Sequence, residues 1–298
     1  MAAASYDMST SKSFNVVSAI SCAGSDLKAN EDRYGHNDEI AFVTDGATGL
    51  GHRQYMDGFS TDAEWFADFA TDYLLSGSGA STDIQAVMTG LMERARFHFF
   101  QAGKGEEIPR YAWPSASVAL ITLQEGHIQF AGLGDCTVYV GNPRAGVKKY
   151  SALQNFAQAE SAFAKVHVAH SKGIHGESLL ENAHTLDHLR KARAAHNTPD
   201  GNIWTLGLVP EAAERLQQTA IPVNPGDEVL ICSDGFSALE ETYLAYSSDS
   251  LLQAVNSKGL EEMYQELRHI EHSVDPTGEK FPRFKRSDDA TALHLILE

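Results

Sequence analysis

Apolar and polar positions along this chain follow two periods, and the switches between them mark out its elements. Residues 40–46, IAFVTDG, form a short apolar run that reads as a buried strand and ends in an acid followed by glycine. Residues 14–21 read as an earlier strand, with Phe14, Val16 and Ala19 among its buried candidates, and 24–34 as a polar connection. After a glycine-rich loop at 46–58, two amphipathic helices are expected. The first starts near Thr61, where Thr61 and Glu64 have capping-box spacing, and carries an apolar stripe of Trp65, Phe66, Phe69, Tyr73 and Leu74. The second spans about 82–101, is capped by Ser81 or Thr82, and aligns Ile84, Val87, Met88, Leu91, Ala95 and Phe99. Such aromatic stripes belong in a core, so both helices should pack on a sheet.

From residue 115 the period becomes that of strands: ASVALITL, a turn at Glu125-Gly126, HIQFAGLG, then CTVYVG. Residues 141–204 lose strand character and become rich in alanine and histidine, with helices expected at 154–170 and 177–196. His184 and His188 have the i, i+4 spacing of a metal pair but lack an HExxH pattern, and a structural or solvated role is expected. A brief helix at Pro210 and a turn at Pro225-Gly226 precede a strand at 228–232. Helical patterns cover 237–246 and 249–272, interrupted at Ser257 and Gly259, and 290–297 is a closing strand. The organisation expected is a flexible N-terminus at 1–12 and one domain over 13–298, carrying a helical, His-rich insertion or flap at about 142–203.

Composition narrows the function. A chain of 298 residues, 43% hydrophobic and 21% charged, can bury a proper core. The net charge of -17 argues against nucleic acid or an anionic membrane as a partner. It leaves phosphate substrates open, because bound metals reverse the sign locally. Cys22, Cys136 and Cys232 share no ligand spacing and read as reduced structural thiols. No basic-then-apolar leader and no membrane span is found, so a cytoplasmic protein is expected.

The chemistry lies in five acidic corners: Asn30-Glu31-Asp32, Asp45-Gly46, Gly134-Asp135, Ser233-Asp234-Gly235 and Ser287-Asp288-Asp289. Each borders an apolar segment of strand length. One Asp-Gly pair usually marks a turn, but five such corners at strand ends can gather carboxylates at the rim of a sheet. Such a cluster repels itself unless protons or cations intervene, and all-oxygen ligation suits Mg2+ or Mn2+. Two such ions can activate a water for in-line attack on phosphorus, the combination that phosphate monoester hydrolysis needs. No Gly-x-x-x-x-Gly-Lys-Ser/Thr segment is present.

In this order and spacing, NED at 30–32, VTDG at 43–46, PSASVALI at 114–121, GLGDCTVYV at 132–140, TLG at 205–207, LICSDGFSALE at 230–240 and SDDAT at 287–291 resemble the metal-dependent PPM (PP2C-like) serine/threonine protein phosphatases. The resemblance implies an α+β fold, a four-layer α-β-β-α sandwich of two packed antiparallel sheets. It implies two core Mg2+ or Mn2+ ions with a weaker third, and a phosphorylated protein as substrate. By position, Asp45 resembles the bridging ligand, with the Gly46 carbonyl beside it. Asp234 and Asp288 resemble ligands of the first ion, Asp32 belongs to the second, and Asp135 resembles the ligand of the third. Glu31 and Asp289 resemble the neighbours that support these ligands. Asp45 and Asp234 thereby carry catalysis through metal-activated water.

Three departures stand out. His52 is displaced from the family's compact glycine-histidine segment, the 142–203 segment is long, and the arginine that bacterial members place five residues before the NED aspartate is Leu27 here. Lys28 is then the candidate phosphate-binding cation at that corner. Two other readings are a phosphatase acting on a small phosphorylated metabolite and a catalytically weak phosphopeptide-binding domain.

Overall fold

Strand β3 (Ile40–Ala47) shows how a two-residue alternation builds two cores at once. Ile40 and Phe42 join a buried cluster with helices α1 (Asp62–Leu75) and α2 (Ile84–Ala102). Ala41 and Val43, on the opposite face, pack into a second cluster between two sheets. Asp45 shares the parity of Ala41 and Val43, so the same alternation carries it to the edge of the intersheet gap. The structure is a computed structural model that describes residues 13–76, 83–142, 146–153, 156–170 and 182–298.

One five-stranded sheet runs β2 (Asp32–His36), β3, β4 (Ser115–Gln124), β5 (His127–Leu133), β8 (Gln217–Pro222). The other runs β1 (Phe14–Cys22), β10 (Ala290–Leu297), β9 (Glu228–Cys232), β6 (Thr137–Asn142), β7 (Gly146–Ser151). Every pairing in both is antiparallel. Their inner faces meet through Val43, Ile121, Phe130, Val138, Ile231 and Leu293. Helices α5 (Asp234–Glu241), α6 (Ser248–Lys258) and α7 (Leu260–His269) cover the outer face of the second sheet with Phe236, Leu251, Val255, Met263 and Leu267. The four-layer sandwich expected from the sequence is therefore the fold. Helices α3 (Phe156–His170) and α4 (Ala183–Ala195) meet in a small cluster of Phe163, Ala164, Leu189 and Phe284.

Three strands were not anticipated: β2, β7 and β8. All three are edge strands. An edge needs less apolar surface and tolerates charge, so DRYGH, GVKKYS and QQTAIP lack the alternation that reveals a central strand. In β8 only Ile221 is buried.

The helix ends also differ in detail. Thr61 caps α1 by accepting the Glu64 N–H at 3.0 Å, but the Glu64 carboxylate accepts from Ser60 rather than closing the box on Thr61. Asp83 caps α2, accepting the Ala86 N–H at 3.0 Å, while Ser81 and Thr82 lie outside the described residues. Helix α5 starts at Asp234 itself, three residues before the expected start. The expected break at Gly259 is real: its φ of 84° separates α6 from α7. Residues 1–12, 154–155 and 171–181, with His175, also lie outside the described residues. Among the described residues no helix is long and apolar enough to cross a membrane.

Ile231 is fully buried between the sheets, whereas Val17 is half exposed. Ile231→Ala is expected to lower unfolding free energy by about 2–5 kcal/mol, and Val17→Ala to change it by less than about 0.5 kcal/mol, measured by urea denaturation.

Candidate active site

Strand register gathers the acidic corners on one rim. Asp32 stands opposite Asp45 across β2 and β3, and Asp45 opposite Ser117 across β3 and β4. The Ser117 hydroxyl donates to the Asp135 carboxylate, and the Asp135 N–H donates back to Ser117 Oγ at 3.2 Å. This corner requires Gly134, whose φ is 78° and whose place would drive any Cβ into Ser117. The second sheet contributes from β9, which ends just before Asp234, and from β10, which Asp288 and Asp289 precede. The Ser233 N–H donates to the Thr291 carbonyl and the Thr291 N–H to Ser233 Oγ, each at 3.0 Å, so these corners are tied together. A Cβ at Gly235 would strike the Asp289 carbonyl, which leaves glycine as the residue that permits the approach.

The electrostatics follow from this crowding. Asp32 is 1% exposed, and among the described residues its Oδ2 has no hydrogen-bond partner. Burial first, then the charges of Asp289 and Asp288, push its pKa up to about 8. Asp45 and Asp234 keep some surface in solvent, yet burial and neighbouring carboxylates raise both well above the usual carboxylate range. For Asp45 the repelling charges are Asp234, Asp32 and Asp135; for Asp234 they are Asp135 and Asp288. The two carboxyls lie side by side, and their contact raises Asp45 and lowers Asp234. Burial also raises Asp135, opposed by the Ser117 hydrogen bond.

Glu31 is buried and accepts from the Thr48 and Thr61 hydroxyls. Asp289 accepts the Gly24 N–H at 2.8 Å on one oxygen and the Glu31 N–H at 2.6 Å on the other. Gly46 donates its N–H to the Glu31 carbonyl at 3.1 Å, which brings the first two corners together. Asp288 is paired with Lys285, Nζ to Oδ1 at 2.7 Å. Lys28 is exposed, beside a Leu27 that is 94% exposed. His52 is exposed with Nε2 3.1 Å from Arg190. His184 and His188 are both exposed, and the His188 ring packs on Phe163.

Sequence reasoning missed Lys285 and Arg193. Lys285 had a signal, standing three residues before Asp288 in a local basic patch. Arg193 had none: only the fold brings α4 to the loop that follows Asp45, where Nη1 donates to the Ala47 carbonyl and to Ser115 Oγ, each at 3.2 Å.

The residues fit hard divalent cations. Their donors are all oxygen, they repel one another, and among the described residues a buried carboxylate oxygen on Asp32 has no partner. Among the described residues, no three His, Cys, Asp or Glu side chains form a ready-made coordination set. Asp45 lies beside Asp234, Asp135 accepts from Ser117, and Asp288 is paired with Lys285. Cation binding would release these partners.

Residues 28–270 match the family model described as protein phosphatase 2C. No curated protein matches the chain at a significant level. Among solved structures, the fold is similar to PppA, a regulatory component of T6SS in Pseudomonas aeruginosa, at 19% identity and TM-score 0.55, covering 97% of this chain and 100% of that one. It is similar to the Mycobacterium tuberculosis serine/threonine phosphatase PstP/Ppp at 17% identity and TM-score 0.56, covering 96% and 99%. A PstP catalytic domain in complex with two manganese ions matches at 16% identity and TM-score 0.55, covering 96% and 98%.

The raised carboxylates set a pH dependence for the metal-free protein. An acid with a folded pKa above its unfolded value retains its proton longer when folded, so folding is favoured at low pH and loses that advantage as pH rises through the folded pKa. For Asp32 this window runs from its ordinary value of 3.8 up to about 8. In chelator the melting temperature is expected to fall between pH 5 and pH 8, and Mg2+ or Mn2+ to raise it more at pH 8 than at pH 5. Calorimetry across that range checks both.

Proposed function

The chain belongs to the protein phosphatase 2C family, and from that premise we propose that it hydrolyses phosphoserine and phosphothreonine in proteins, with Mg2+ or Mn2+ as cofactor. The observation that carries the reading is the meeting of carboxylates from both sheets at one rim, including a buried one with an unpartnered oxygen. Asp45 and Asp234 are the central metal ligands, with the Gly46 carbonyl and Asp288 beside them and Asp32 on the second-ion side. Asp135 serves a weaker third ion. The two manganese ions in the PstP complex support a two-ion core. Bound there, two divalent cations supply a nucleophile at neutral pH and neutralise charge on the phosphoryl oxygens.

The chain's own residues do the positioning. Asp289 fixes the backbone at Gly24 and Glu31, and Thr48 and Thr61 orient the Glu31 carboxylate toward the rim. Ser117 aims Asp135. Partial exposure of Asp45, Asp135 and Asp234 suits a large substrate that presents its phosphoryl group at the surface. Of the 142–203 segment, β7 belongs to the second sheet, and α3 and α4 read as the inserted part within a single domain.

Asp45→Ala and Asp234→Ala are each expected to lower turnover of a phosphothreonine peptide by about 100-fold or more, because each removes a central charge from the clamp. Rates measured across a manganese titration test this, and a variant that reached the parent's rate at saturating metal would remove its residue from the core. Asp135→Asn is expected to keep two tightly bound ions in calorimetry while turning over more slowly. Loss of all metal binding would move Asp135 into the central pair.

A further inference from the structure

We propose that Arg193, presented by α4, is the side chain that grips the phosphoryl group of the substrate; this rests on the phosphatase reading above. Among the described residues four cations reach the rim. Arg33 and Arg268 donate to the Asp32 and Asp288 carbonyls and pair with Asp68 and Glu271; Lys285 and Arg193 are held differently. Lys285 is committed to Asp288 by an ion pair at 2.7 Å. Arg193 makes no ion pair among the described residues. Its Nη1 is pinned by neutral oxygens, the carbonyls of Ala47 at 3.2 Å and Thr48 at 3.5 Å and the Ser115 hydroxyl at 3.2 Å. Its Nε and Nη2 have no hydrogen-bond partner among the described residues. Those two N–H groups form one edge of the guanidinium, the parallel pair that meets two oxygens of a phosphate at once. Neutral acceptors leave the positive charge intact, whereas a carboxylate partner would have spent it.

The location is specific. Ala47 and Thr48 follow directly on Asp45 and Gly46, and Ser115 pairs with Ala47 across β3 and β4. Glu31, Asp45, Glu160 and Asp135 are the carboxylates whose field Arg193 feels. A guanidinium at this point adjoins the loop that leaves the central acids and would supply the positive charge that a dianionic phosphate monoester needs beside these carboxyl groups.

The helix that carries it is held from both sides. One turn earlier, Arg190 donates from Nε to the Leu50 carbonyl at 2.9 Å and stacks on the Tyr111 ring at 5.0 Å. From the opposite direction, Arg110 donates to the carbonyls of Ala194 at 3.2 Å and His196 at 2.9 Å, closing the C-terminal end of α4. Holding these three arginines against neutral backbone oxygens fixes α4 to the loop after Asp45. The grip is therefore preorganised, and its directional fork separates it from Lys28, an exposed ammonium on a connection whose neighbour Leu27 stands in solvent.

The test is binding of inorganic phosphate to the Mg2+-loaded full chain by titration calorimetry, alongside steady-state kinetics on a phosphothreonine peptide. Arg193→Ala is expected to weaken phosphate binding by about 10- to 100-fold and to raise KM, with Mg2+ affinity within about twofold of the parent. Arg193→Lys keeps charge and one donor to the Ala47 carbonyl, so it serves where the alanine variant fails to fold; it is expected to recover only part of the affinity, because an ammonium lacks the fork. A folded Arg193→Ala or Arg193→Lys protein that binds phosphate as tightly as the parent overturns the assignment and leaves Arg193 as a clasp for α4. Loss confined to Lys28→Ala overturns it as well and returns the role to that lysine. If the parent binds phosphate through Arg193 yet hydrolyses no phosphopeptide, the phosphatase reading fails while the anion site stands.

Discussion

Mutual repulsion among carboxylates at the sandwich rim is the constraint that the rest of this structure accommodates. Strand register forces Asp32 to face Asp45, and the corners after β9 and before β10 add Asp234, Asp288 and Asp289 to the same edge. Holding like charges together costs free energy in any flexible frame, since the chain would relax to separate them. A two-sheet core prevents that relaxation. Val43, Ile121, Val138, Ile231 and Leu293 interlock in the gap directly behind the rim, so the acids are placed by packing that extends through both sheets.

Without a cation, the same groups fall back on local partners, and these define what a metal must replace. Asp45 and Asp234 face each other, a hydroxyl occupies Asp135, and an ammonium occupies Asp288. Among the described residues Asp32 Oδ2 is left buried without a hydrogen-bond partner. A buried acceptor without a donor is expensive, and it marks where the protein expects a ligand. Metal affinity in this design is the difference between ion–carboxylate attraction and the sum of these weaker partners. Lys285 and Ser117 therefore tune the site alongside the ligands.

Much of this was legible in the sequence, for identifiable reasons. Central strands β3, β4, β5, β9 and β10 announce themselves because both their faces are buried, and α1 and α2 because one face is. The acidic corners were legible because each stands at the end of such a strand. What escaped was set by context outside the local pattern. β2, β7 and β8 need little apolar surface at sheet edges. Asp83 won the cap of α2 over the expected neighbours through one favourably placed carboxylate. Arg193 lies 148 positions beyond Asp45, in a helix whose own sequence reads as a solvated face, and nothing local says that it folds back onto the Ala47 carbonyl.

The negative charge of Asp289 illustrates how geometry can outrank electrostatics at such a rim. Two backbone amides, those of Gly24 and Glu31, converge there from a single connection, and each needs an acceptor. A carboxylate offers one oxygen to each; a neutral amide side chain offers one oxygen and turns a donor toward the second N–H. The carboxylate therefore satisfies both, although burial, opposed by those amide bonds and aggravated by Asp288, raises its pKa. Its charge adds to the repulsion on Asp32 as well, where Asp289 is the largest contributor after burial. The chain thus ties the first acidic corner, near its start, to the last, near its end, with a group that makes the corner harder to ionise. That trade favours a rigid site whose charge is neutralised by bound cations over a relaxed site that is comfortable without them.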